Sequence, residues 1–246
     1  MEQIRAAGDP RLAQRQEHGF LGIGRLGLWS ADEPALADVI TAARSAGARV
    51  REVARGDGVF RNRRSILTAL GPPEDWAAGA PSENDRSIVL LASVSGARLL
   101  LTGDIERPAE RRLLSDGCEL RAQVLKVPHH GAATSSTRPF LDAVRPGLAV
   151  CSVGLRNRHG HPDRAVIDRL RAGGASVLRT DRDGAVLVSI RGDAVRARAV
   201  GSSRTATVPL RGGALPAGTV RRAKGVTARV YGRPASPHGP TRMVAE

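Results

Sequence analysis

The stretch Ser87-Ile-Val-Leu-Leu-Ala-Ser-Val94, followed by Ser95-Gly96-Ala97 and Arg98-Leu-Leu-Leu-Thr102, decides the fold of this chain. Two apolar runs separated by a small-residue turn read as a hairpin. Their apolarity is nearly continuous rather than alternating, so both faces of the sheet they enter are covered. Toward the C-terminus, Gly103-Asp104 leads to a helix predicted over Pro108–Ser115, opened by its proline and stopped before Gly117. Gln123–Val127 then reads as a strand running into Pro128-His129-His130-Gly131, Arg138–Val144 as a short helix and Leu148–Val153 as a buried strand. Pro162 or Asp163 starts a helix that ends at Gly173-Gly174, and strands at 176–179 and 185–190 flank Asp181-Arg-Asp-Gly184. Toward the N-terminus, Ser65–Leu70 is a short strand and Arg55–Arg64 a polar turn. Strands at 25–29 and 48–53 bracket a helix capped by Ser30 or Asp32 and closed by Gly47. Strands alternating with helices give an α/β domain.

Composition sets the limits of that domain. Residues 1–19 are polar and expected to be poorly ordered, residues 20–190 carry the patterned segments, and residues 191–246 are rich in Gly, Pro, Ala, Ser and Arg. That last stretch holds 11 basic and two acidic residues, so it supplies most of the net charge of +14, and it is expected to be a disordered basic tail. Lys126 and Lys224 are the only lysines, a bias toward arginine that GC-rich coding also produces. Charge alone therefore does not decide the function. Three Phe, two Trp and one Tyr are too few for a base-stacking platform. Cys118 and Cys151 stand far apart, which excludes a disulfide framework and a thiolate zinc knuckle. No apolar run approaches the ~18 residues of a membrane span, and the opening residues lack the pattern of a signal peptide. A cytoplasmic chain is the expectation from those absences. Neither a Gly-x-Ser-x-Gly elbow nor a Gly-x-x-x-x-Gly-Lys loop occurs.

The residues able to carry chemistry gather after strands. Asp104 follows the second run of the hairpin, and His129 and His130 follow the next strand. Loops leaving strand ends are where α/β folds place their sites. Carboxylate and imidazole together suit Zn²⁺ or Mn²⁺. In extended chain two adjacent imidazoles point opposite ways, so one of the pair is expected to face a common site. Asn157-Arg-His-Gly-His-Pro162 is either a further site loop or a polar helix entry. Each signal alone also has an ordinary structural reading, as a turn, a cap or a solvated loop.

Taken in order, these motifs resemble the metallo-β-lactamase-fold domain of ComEC-type DNA-internalisation competence proteins. The resemblance runs through Asn84 with Ser87, Leu100-Leu-Thr-Gly-Asp104, Glu110 with Leu113 and Leu114, and Leu125-Lys-Val-Pro-His-His-Gly131. It continues through Ser135-Ser136, Asn157 with Gly160-His-Pro162, and Arg179-Thr-Asp181 with Gly184. It implies a hydrolase fold with a dinuclear metal centre acting on phosphodiesters, working in DNA uptake. Asp104 would ligate or bridge metal, His129 or His130 would be the late metal-binding histidine, and His161 would be a polar, catalytic residue lining the site. Asn84 and Asn157 would also line it. The family's first-half motif, His-x-His-x-Asp-His, has no counterpart in the chain. The expectation is therefore a partial αββα sandwich lacking its first strands and that loop, with a divalent-metal site, Zn or Mn, left incomplete. Its partners would be DNA and a separately encoded N-terminal or membrane part, and that assembly would place it at a membrane. Two further readings stay open: a catalytically inactive remnant, and a non-enzymatic protein that binds nucleic acid through the basic tail.

Overall fold

The computed structural model describes residues 41, 42, 44–47, 53–76, 79–210, 221 and 222. Most of the helix read before Gly47, the strand read at 25–29 and all but Val53 of the strand read at 48–53 lie outside the described residues.

Seven strands form one sheet in simple sequential order: β1 (Gly58–Arg61), β2 (Ser65–Gly71), β3 (Val89–Val94), β4 (Ala97–Leu101), β5 (Val124–Lys126), β6 (Leu148–Cys151) and β7 (Ser176–Arg179). The sheet changes character at β4. From β1 to β4 every pairing is antiparallel; from β4 to β7 every pairing is parallel. The three parallel steps are made by crossover helices α1 (Arg107–Ser115), α2 (Arg138–Val144) and α3 (Arg164–Ala172). The β3–β4 hairpin closes on two residues, Ser95 and Gly96, both at positive φ (48° and 83°), the turn whose twist matches that of the strands.

Period two assigns the faces. Val89, Leu91, Leu100, Leu125, Ala149, Cys151 and Val177 pack with Leu113 of α1, Phe140 and Val144 of α2, and Val166 and Leu170 of α3. Each fully buried Leu or Phe there contributes roughly 1.5–3 kcal/mol. The opposite face carries Ala97, Val124, Leu148 and Leu178, which meet a second sheet. Three of the four layers of an αββα sandwich, helices and two facing sheets, are thus among the described residues.

That second sheet corrects the boundary drawn at residue 190. β8 (Val186–Arg191), β9 (Ala194–Ala199), β10 (Arg204–Pro209) and β11 (Arg221–Arg222) form an antiparallel sheet in the order β11-β10-β9-β8. Composition hid a plain alternation: Ala-Val-Arg-Ala-Arg-Ala and Arg-Thr-Ala-Thr-Val-Pro place Val195, Ala197, Ala206 and Val208 on the buried side. The approach of the layers is tight at Gly147, where a Cβ would stand 2.5 Å from a methyl carbon of Val208. Residues 55–64 also differ from the expectation of a polar turn, since β1 pairs with β2 there. No helix among the described residues is long and apolar enough to cross a membrane.

Candidate functional site

Parallel strands β4 to β7 end on the same edge of the sheet, so the loops that follow them meet there. After β4 come Thr102, Gly103 and Asp104. Thr102 Oγ1 donates to the Lys126 carbonyl (2.8 Å), and the Asp104 amide donates to Ser87 Oγ (3.0 Å). A Cβ on Gly103, at φ 56°, would meet Ser87 Cβ at 2.6 Å, so this turn fits only glycine at that position. Lys126 Nζ donates to the Gly103 carbonyl (2.6 Å) and to Asp104 Oδ1 (3.3 Å). Asp104 is therefore aimed from two sides, by Ser87 and by Lys126 of β5.

After β5 the backbone departs from the extended form assumed for the histidine pair. His129 (φ 45°, ψ 44°), His130 (φ 55°, ψ 16°) and Gly131 (φ 85°) are all left-handed. Such conformations cost of order 1–3 kcal/mol for each non-glycine residue, and tertiary contacts must hold them. The contacts are visible. His130 Nδ1 donates to the Ser152 carbonyl (2.6 Å), which fixes the tautomer and turns Nε2 toward Asp104 Oδ1, 3.4 Å away. His129 Nδ1 lies 3.0 Å from Glu106 Oε1, an oxygen that also accepts from Thr134 Oγ1 (2.7 Å). The two imidazoles thus serve different carboxylates, and His130 is the one that shares a site with Asp104.

The loop after β6 brings the remaining histidines. Asn157 Oδ1 accepts from the His161 amide (2.9 Å), and its Nδ2 donates to the His161 carbonyl (2.8 Å). Asn157 therefore closes the loop that presents His161. The His161 ring lies 5.5 Å from that of His129 and stacks on His159 at 5.8 Å. Partial burial and the neighbouring imidazoles of His129, His159 and His130 hold His161 below the ordinary histidine range, while Asp163 works the other way. The loop is seated by Pro162, which packs on Gly131, and by the Asp163 amide donating to the Gly131 carbonyl (2.8 Å).

Of the residues the sequence singles out, Asp104, His129, His130 and His161 share this edge, and Asn157 braces it. Asn84 lies in a 3-10 turn, where its carbonyl accepts from the Ser87 amide and its buried neighbour Asp85 accepts from the amides of Glu106 (2.9 Å) and Ala109 (3.2 Å) at the start of α1. Two residues of the edge, Glu106 and Lys126, and the acid at the start of α1, Asp85, were given no site role by sequence reading. For the first two a signal existed, an acid two residues past Asp104 and a strand lysine in an arginine-dominated chain.

Whether these residues suit a metal is settled by the donors. Among the described residues no group of three or more His, Cys, Asp or Glu is placed to hold a metal ion. Asp104 and His130 provide two donors, and an ammonium stands on the same carboxylate oxygen. A catalytic zinc takes three protein ligands and an open position. On their own, the described residues do not fit such a centre.

The chain was compared with known proteins. No protein-family model matches it. It is 35% identical over 154 residues to ComE operon protein 3 of Bacillus subtilis, which is 63% of this chain and 19% of that protein. It is 43% identical over 117 residues to competence protein ComA of Neisseria gonorrhoeae (47% and 17%) and 34% identical over 111 residues to recombination protein 2 of Haemophilus influenzae (44% and 14%). The chain thus spans less than a fifth of the length of these relatives. Among solved structures, a provisionally named metal-dependent hydrolase of Parabacteroides distasonis overlaps 57% of this chain and 61% of its own, at 14% identity and a TM-score of 0.37, a likeness too slight to carry chemistry. Over roughly half of its length, the chain is similar in sequence to competence proteins of the ComEC type.

Proposed function

We propose that this chain is a DNA-handling module of a competence system, whose site is the edge formed by Asp104, His130, His129 and His161. The observation that carries the reading is the convergence of Asp104 and His130 at 3.4 Å from the ends of adjacent parallel strands, within a chain similar to competence proteins. In this reading DNA is the partner, and the chain works at the membrane where DNA enters. Phosphodiester hydrolysis with Zn or Mn is the activity that the family resemblance adds. When bound, a divalent ion would polarise the phosphate and lower the pKa of a water. The described residues supply too few donors for it, so hydrolysis calls for ligands from elsewhere, a partner polypeptide being one source. The chain's own residues do the rest: Lys126 and Ser87 aim Asp104, Ser152 fixes the His130 tautomer, and Asn157 holds the His161 backbone.

Elemental analysis of the purified full chain, with Asp104→Ala and His130→Ala alongside, tests this directly. The expected result is well under one Zn or Mn per chain, with no cleavage of labelled duplex DNA when either ion is added. Near-stoichiometric metal that disappears in both variants, accompanied by cleavage, would replace this reading with that of a self-sufficient metallohydrolase.

A further inference from the structure

The second sheet has two faces, one packed on the seven-stranded sheet and one turned away from it. β8, β9 and β10 bury one set of alternating residues and expose the other. Register places Ser189, Arg196 and Thr207 in one cross-strand row, with Leu187 beside Arg198 in the next, and Arg191 ends β8 on the same side. Every one of these six is exposed.

Two features set the face apart from a mixed solvated surface. It carries no carboxylate: no outward position of β8, β9 or β10 is Asp or Glu, and Asp193, the nearest acid in sequence, sits in the turn between β8 and β9. None of Arg191, Arg196 and Arg198 forms an ion pair among the described residues. Arg204, on the inward side of β10, shows the contrast, since its guanidinium is held by Asp183 at 2.8 Å. Among the described residues, the one inward arginine of these strands is thus neutralised and the three outward ones are not.

We propose that this outer face binds the sugar–phosphate backbone of DNA. Alternate residues of one strand stand about 7 Å apart, so Arg196 and Arg198 offer two guanidinium forks in line along β9. Thr207 flanks Arg196 on one side with a hydroxyl able to donate to a phosphate oxygen, and Ser189 flanks it on the other, its Oγ donating to the Arg196 carbonyl (3.4 Å). The face has no aromatic ring on which a base would stack and no acceptor row to read base edges, so recognition is of backbone charge, independent of sequence and steeply salt-dependent. A lipid surface fits less well, because Leu187 is the one large apolar side chain exposed among these six residues. The inference rests on the DNA-handling reading for its choice of ligand and adds a surface remote in sequence from the histidine edge.

The test is fluorescence anisotropy of a labelled DNA duplex with the full chain, from low to moderate salt. The variants are Arg196→Gln/Arg198→Gln, Arg191→Gln alone, and Arg61→Gln/Arg63→Gln, which removes the same charge from the β1–β2 hairpin. The expected result is at least tenfold weaker binding at low salt for the 196/198 pair, with the slope of log K against log salt reduced by about two. Arg191→Gln should reduce the slope by about one, and the 61/63 pair should bind within twofold of wild type. Equal losses in the two pairs would overturn the proposal, because charge and not this face would then be responsible. Wild-type-like binding by the 196/198 variant would overturn it while leaving the DNA-handling reading intact. No binding by wild type at low salt would overturn both. Tighter binding to phosphatidylglycerol vesicles than to DNA, lost in the 196/198 variant, would reassign the face to lipid.

Discussion

Three buried acids outside the histidine edge hold the molecule together. Asp85 caps α1 from a turn some twenty residues earlier, Glu110 receives the amides of Ser136 and Thr137 ahead of α2, and Asp183 ties the two sheets. Burial raises the Glu110 pKa against the hydrogen bonds it accepts. At Asp183 burial pushes upward too, but hydrogen bonds from Ser202, the Arg179 amide and Arg204 outweigh it, and the pKa lies below the ordinary aspartate value. The sign follows from linkage: the folded state binds that proton less readily than the unfolded chain, so the stabilisation is present above the unfolded pKa and is lost as pH falls through the folded one. Asp183→Asn should cost about 2–3 kcal/mol at neutral pH, below the range for a fully buried pair because Arg204 is partly exposed. Thermal melts between neutral and acid pH check this: the gap between wild type and variant should narrow toward low pH. A constant gap would mean that the carboxylate charge is not the source.

Among the elements, the loop after β5 depends most on its neighbours. Gly131 lies at φ 85°, and a Cβ there would stand 2.5 Å from Pro162 Cβ. Gly131→Ala should lower the melting temperature by roughly 10 °C, equivalent to about 3 kcal/mol, and should separate the rings of His129 and His161. Loss of cross-relaxation between those two imidazoles would report the separation, and an unchanged melt would refute the packing argument. The left-handed turn was not legible in the sequence, because nothing local to Pro-His-His-Gly demands it; Ser152, Glu106 and Pro162 impose it from other loops. The β3–β4 hairpin, α1, α2, α3 and β7 were legible, since apolar spacing and Gly or Pro punctuation act locally. β9 and β10 were missed because counting Ala, Arg and Gly obscures alternation by two. Asp104 and the histidines stood out by residue type and by their place after strands, whereas Lys126, Glu106 and Asp85 take their roles from contacts across the fold.

At the scale of the whole molecule, the sheet is two architectures joined at one strand, since β4 is antiparallel to β3 and parallel to β5. The halves differ in how far along the chain their partners lie. A two-residue turn brings β3 and β4 together, whereas each parallel neighbour is reached only across a helix. Hairpins close in about 1–10 μs, and pairings between distant segments wait for longer loops to close. Every residue of the meander from β1 to β4 precedes β5 in the chain, and its pairings need no crossover helix. The turn at Gly103 and Asp104 then lacks the lysine that grips it, so the acidic corner of the edge is the last part of β4 to settle. Pulsed hydrogen exchange during refolding should show β3 and β4 amides protected before those of β6 and β7, and simultaneous protection would contradict this order. Until β5 docks, β4 is an unpaired strand edge beside a finished hairpin, so the hazard built into this topology is mispairing at β4, before any chemistry is assembled.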